Sequence, residues 1–71
     1  MGSTFILRAL DRNGSESYYT GREGREWTSA NVYDAFTYRS LECARHKAAL
    51  LNRAEHLHGL WFFAKEVEAS R

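Results

Sequence analysis

The stretch "LRALDRNGSESYY", residues 7–19, decides how this chain is built. Strand-forming residues stand on both sides of Asn13-Gly14, the pair that best tolerates the positive φ angles of a tight hairpin turn. The spacing predicts one strand over 4–10 and a second over 18–20. With a two-residue turn, Arg12 faces Ser15, Ala9 lies opposite Tyr18, and Arg8 lies opposite Tyr19. Phe5, Leu7, Ala9, Tyr18 and Thr20 then share one face, and Ile6, Arg8, Leu10 and Tyr19 share the other. Neither face is polar.

Beyond the hairpin, "TGREGREW" (residues 20–27) carries two glycines three residues apart, and 26–28 is expected as a short third strand around Trp27. An irregular connection follows with Val32, Tyr33, Phe36 and Tyr38. Ser40 then reads as a helix N-cap, because its hydroxyl can accept an amide hydrogen from the first turn, and Glu42 suits the positive end of the dipole. The helix is expected over 41–58, with Gly59 free to take the left-handed conformation that ends helices. At 100° per residue, Cys43, Ala44, Leu50, Leu51, Ala54 and Leu57 fall on one arc, and Lys47 lies inside it, its stem able to pack while its ammonium reaches water. The last strand, 60–67, contains "LWFFA" and is apolar on both sides. Trp61 and Phe63 point one way, Leu60 and Phe62 the other.

These elements predict a single α+β domain over 1–71: an antiparallel three- to four-stranded sheet with one helix packed on one face, in the order β-β-(β)-α-β. A chain of 71 residues buries only about 60% of its unfolded surface, so a deep substrate cleft is not expected. Ten basic and nine acidic residues argue against a dedicated nucleic-acid binder and against an acidic DNA mimic. One cysteine cannot form an internal disulfide, which fits a cytoplasmic setting. The longest apolar run, 60–64, is too short to span a bilayer, and Ile6 stands where a myristoylation signal requires Ser or Thr.

One helix covers one side of a sheet, yet the strands are apolar on both. The second face, expected to hold Ile6, Arg8, Leu10, Tyr19, Leu60 and Phe62, is either a partner surface or the seat of the 30–38 segment folded back over it.

The remaining motifs have plain readings. Gly21-Arg22-Glu23-Gly24 has the GxxG spacing of nucleic-acid clamps, but it follows a strand rather than joining two helices, and its glutamates offset its arginines, so it reads as a turn. Arg22, Arg25 and Trp27 remain candidate contacts for a protein partner. His46, His56 and His58 are not spaced to share a metal, and no cofactor or metal is expected. Cys43, on the apolar arc, is expected to be buried rather than reactive. Asp11 and Glu16 lie at the exposed end of the hairpin, outside any cleft, and no enzymatic role is expected. A nucleic-acid-binding alternative would stack bases on Tyr19 and Phe62 beside Arg8, aided by Arg22 and Arg25.

The order of signals resembles a class of very small bacterial, phage and plasmid proteins, most without an assigned activity. The resemblance is carried by Tyr18, Tyr19, Thr20, Gly21, Gly24 and Trp27, and then by Ala35, Tyr38, Ser40 and Ala44. In size and architecture the chain is also similar to phage-encoded anti-CRISPR proteins, which act by binding rather than by chemistry. That resemblance implies a protein-binding inhibitor of phage or mobile-element origin, working in a bacterial cytoplasm against a CRISPR-Cas or other defence component. A structural homodimer through the second face is the remaining alternative.

Overall fold

The computed structural model describes residues 3–22, 24–55 and 59–68. Four strands form one antiparallel sheet in the order β3-β2-β1-β4. They are β1 (Ser3–Leu10), β2 (Glu16–Tyr19), β3 (Thr28–Ser29) and β4 (Trp61–Glu68), with one helix, α1 (Leu41–Glu55), before the last strand. The expected α+β architecture is therefore present, and the third strand begins at Thr28, two residues later than the expected 26–28. Gly24–Trp27 is instead a short 3-10 turn.

The hairpin differs from expectation by one residue. Arg8 pairs with Tyr18 and Ala9 with Ser17, because the connection is a three-residue loop closed by Asp11 and Ser15. The Asp11 N–H donates to the Ser15 carbonyl at 3.1 Å, and the Gly14 N–H donates to the Asp11 carbonyl at 3.0 Å. Within the loop only Gly14 has positive φ, at 84°, which is a type I turn followed by a left-handed glycine rather than the two-residue turn. The Asp11 carboxylate holds it, with Oδ1 accepting from the Asn13 N–H at 2.9 Å and the Ser15 N–H at 2.8 Å. A slip of one residue sends every side chain of β2 to the opposite face.

The helix begins where its cap predicts: Ser40 Oγ accepts from the Cys43 N–H at 3.3 Å. Residues 56–58 of the expected helix lie outside the described residues, and Gly59 has φ of 76°. The buried stripe of α1 is Ala44, Ala48 and Leu51, the i, i+4, i+7 spacing of one helix face. It is narrower than the predicted arc because the sheet beneath it is essentially β1 and β4. Cys43 and Leu50, expected to be buried, are exposed; the side chains of Ala54 and Leu57 lie outside the described residues.

The core joins that stripe to Leu7, Ala9 and Phe62, with Phe5, Tyr19, Trp27, Tyr38, Leu60 and Ala64 packed around it. Burying Leu7 and Phe62 stabilises the fold by about 1.5–3 kcal/mol each. The small side chains of Ala44, Ala48 and Ala64 let the helix approach the sheet closely. Tyr38 reaches this core as a bridge to β1. The Phe5 N–H donates to the Tyr38 carbonyl at 2.8 Å and the Tyr38 N–H to the Phe5 carbonyl at 2.7 Å, so the chain beyond the connection takes the slot that β2 has left.

Candidate protein-interaction face

The face of the sheet turned away from α1 is set by two registers. Pairing of Leu10 with Trp61, Arg8 with Phe63, Ile6 with Lys65 and Thr4 with Val67 places these side chains on one side, and pairing of Arg8 with Tyr18 and Leu10 with Glu16 adds the hairpin's contribution. At its centre Arg8 lies over the Phe63 ring, 5.6 Å from its centroid. Its Nε is 2.6 Å from Glu16 Oε2 but is not aimed along a hydrogen bond, so the contact is a close charge pair. Glu16 Oε2 also accepts from the Tyr18 hydroxyl at 3.0 Å. That hydrogen bond, reinforced by burial and the carboxylate's charge and opposed by Arg8, raises the Tyr18 pKa. Beside this group stands Trp61, 57% exposed. A flat arginine, three aromatic rings and a carboxylate can grip a protein surface by stacking and charge-assisted hydrogen bonds.

Three of the expected face residues, Ile6, Arg8 and Leu10, are on this side, although Ile6 is only 2% exposed. Tyr19 and Phe62 are not. The hairpin slip turns Tyr19 towards the helix, where the Lys47 ammonium sits 5.6 Å from its ring centroid. Phe62, paired with Ala9, is 1% exposed. The two rings do meet, edge to face at 6.4 Å, but under α1, so the expected stacking platform with Arg8 does not form. Leu60 also packs on the helix-side core. Tyr18, Trp61, Phe63 and Lys65 take the places given to Tyr19, Leu60 and Phe62.

The 30–38 segment leaves most of its apolar side chains exposed. Its Tyr38 joins the helix-side core, and Val32, Tyr33 and Phe36 are exposed, Tyr33 at 92%. Burial pushes the Tyr38 hydroxyl pKa up to about 12, with neighbouring Tyr19 and Cys43 adding to it.

The glycine loop is a turn. Buried Thr20 organises it: its Oγ donates to the Glu26 carbonyl at 2.5 Å and accepts from the Arg22 N–H at 3.1 Å, and its N–H donates to the Trp27 carbonyl at 2.9 Å. Arg22 is exposed and pairs with Glu26 at 3.5 Å. Trp27 packs on Phe62 with ring centroids 5.6 Å apart, which makes it a core anchor. The Arg25 side chain lies outside the described residues. His46 is exposed, and His56 and His58 lie outside the described residues.

The signal for the correct face lay in "DRNG" itself: Asp at the first position and Gly at the fourth is the signature of a type I turn. No helix among the described residues is long and apolar enough to cross a membrane. Comparison with protein-family models, curated proteins and solved structures found no match.

Proposed function

We propose that this chain is a non-catalytic protein-binding module that docks through its helix-free sheet face, and that its partner is a component of a bacterial defence complex of the CRISPR-Cas kind. The observation that carries the binding reading is that face: Trp61 stands 57% exposed beside the Arg8–Phe63 stack. The choice of partner class rests on size and architecture, through the resemblance to anti-CRISPR proteins. A formal net charge of +1 gives no electrostatic reason to favour nucleic acid.

The test is affinity capture from bacterial lysate and from purified defence complexes. Wild type is compared with a Leu10→Lys, Tyr18→Ser double variant and with a loop variant, Arg22→Glu. A specific partner lost from the first and retained by the second supports the reading. Retention by the face variant, folded by circular dichroism, removes it. A wild-type solution mass of two chains that drops to one in the face variant shows self-association instead.

A further inference from the structure

In the sheet order β4 is terminal, so every other backbone unit of it points away from β1. Phe62 is one such residue, and its peptide groups are already taken. The Phe62 N–H donates to Asn52 Oδ1 at 2.7 Å, and Asn52 Nδ2 donates to the Phe62 carbonyl at 2.9 Å. A carboxamide that donates and accepts in this way reproduces the pairing an added strand would make. The edge is thus capped at Phe62. Two residues on, the N–H and C=O of Ala64 point to the same side by the period of the strand.

Beside that edge runs an open groove of about 410 Å³ between α1 and β4, floored by Ala48, Ala49 and Ala64 and ended by Trp61. The alanines leave room for the side chains of an incoming strand. Arg45 stands on the groove wall, exposed, and makes no ion pair among the described residues.

The geometry points to an extended acidic peptide segment of a partner protein as the occupant, added as a strand at Ala64 next to the Asn52 plug, with a carboxylate against Arg45. A second copy of this chain fits poorly. Antiparallel self-pairing centred on Phe63 or Ala64 requires the Phe62 groups that Asn52 holds. Centring on Lys65 sets two ammonium groups opposite each other, and centring on Glu66 sets two carboxylates opposite each other. A heterologous segment can set its carboxylate against Arg45 and an uncharged residue opposite Glu66, and so avoids these conflicts. Strand addition of this kind draws affinity from main-chain hydrogen bonds and specificity from alternate side chains.

The experiment is selection from a phage-displayed random decapeptide library on the immobilised protein, with Ala64→Pro as the counter-selected control. Proline removes the edge N–H and is tolerated on an edge strand. The expected result is enrichment of peptides that alternate β-branched residues with Asp or Glu. Synthesised, they should bind about tenfold or more weakly to Ala64→Pro and to Arg45→Glu, and equally well to the Leu10→Lys, Tyr18→Ser variant. That last comparison separates the edge from the sheet face. Should Ala64→Pro misfold, hydrogen exchange at the wild-type Ala64 amide replaces it, and slowing on peptide binding is expected. No enrichment, binding that survives a folded Ala64→Pro, or an Ala64 amide unprotected by peptide overturns the proposal.

Discussion

The Asn52 carboxamide bonds both backbone groups of Phe62, accepting at 2.7 Å and donating at 2.9 Å. One side chain thereby fixes the helix to the last strand at the residue whose ring fills the core. Asn52→Leu keeps the size but leaves a part-buried N–H and C=O without partners. A loss of about 1–3 kcal/mol is expected, read as a lower urea midpoint, with increased self-association as the freed edge becomes available.

Phe62 and Trp61 are sequence neighbours with opposite fates. Phe62→Ala removes the largest fully buried side chain at a cost of about 3–5 kcal/mol, enough to unfold a marginal domain of this size. Trp61→Ala, at an exposed position, should shift stability by about 0.5 kcal/mol or less. Far-ultraviolet circular dichroism through a thermal melt distinguishes the two.

Gly14 and Gly21 both have positive φ, 84° and 81°, but their surroundings differ. A Cβ at Gly14 meets nothing within 4 Å, whereas one at Gly21 would lie 2.7 Å from Phe36 Cδ2. Gly14→Ala should cost about 1–2 kcal/mol, the left-handed penalty alone. Gly21→Ala should cost more, and pairing it with Phe36→Ala should recover the excess in a double-mutant cycle.

Tyr38 makes stability depend on alkaline pH. Its folded pKa is pushed up to about 12 from an ordinary 10.0, so the folded protein holds its phenol neutral where the unfolded chain ionises. The contribution is fully present below pH 10, declines above it, and is lost as pH passes about 12. Because the residue is half-buried, the slope should fall below the ~1.4 kcal/mol per pH unit of a fully shielded group. Urea titrations at several alkaline pH values should show a shallower decline for Tyr38→Phe than for wild type.

Much of this architecture is legible in the sequence. Ser40 caps the helix start because capping is a local matter of one hydroxyl, and Gly59 has the positive φ expected of it. The hairpin is equally local, but Asn13-Gly14 fits two turns, and the choice between them rests on Asp11, whose carboxylate collects two amides of the longer loop. Misreading that residue exchanges Tyr18 with Tyr19 on the candidate face. In β4 the order Leu60, Trp61, Phe62, Phe63 is apolar in both phases, and the sequence alone offers no alternation to orient it. Phase is set by contacts distant in sequence: Ala9 across the ladder, and Asn52 on the helix. Cys43 is exposed because the helix rests on a narrow sheet, a property of no single residue.

The pairing of Ser3 with Glu68 and of Leu10 with Trp61 makes the first strand and the last one ladder. The longest pairing in the sheet therefore joins segments separated by nearly the whole chain, and its closure entropy is incurred before most of the core can form. On the ribosome, the early strands and the helix are exposed with their apolar surfaces unmatched until residue 68 has emerged. Folding of this domain is then a single late event rather than a progressive one, and a nascent chain halted within α1 should be protease-sensitive throughout.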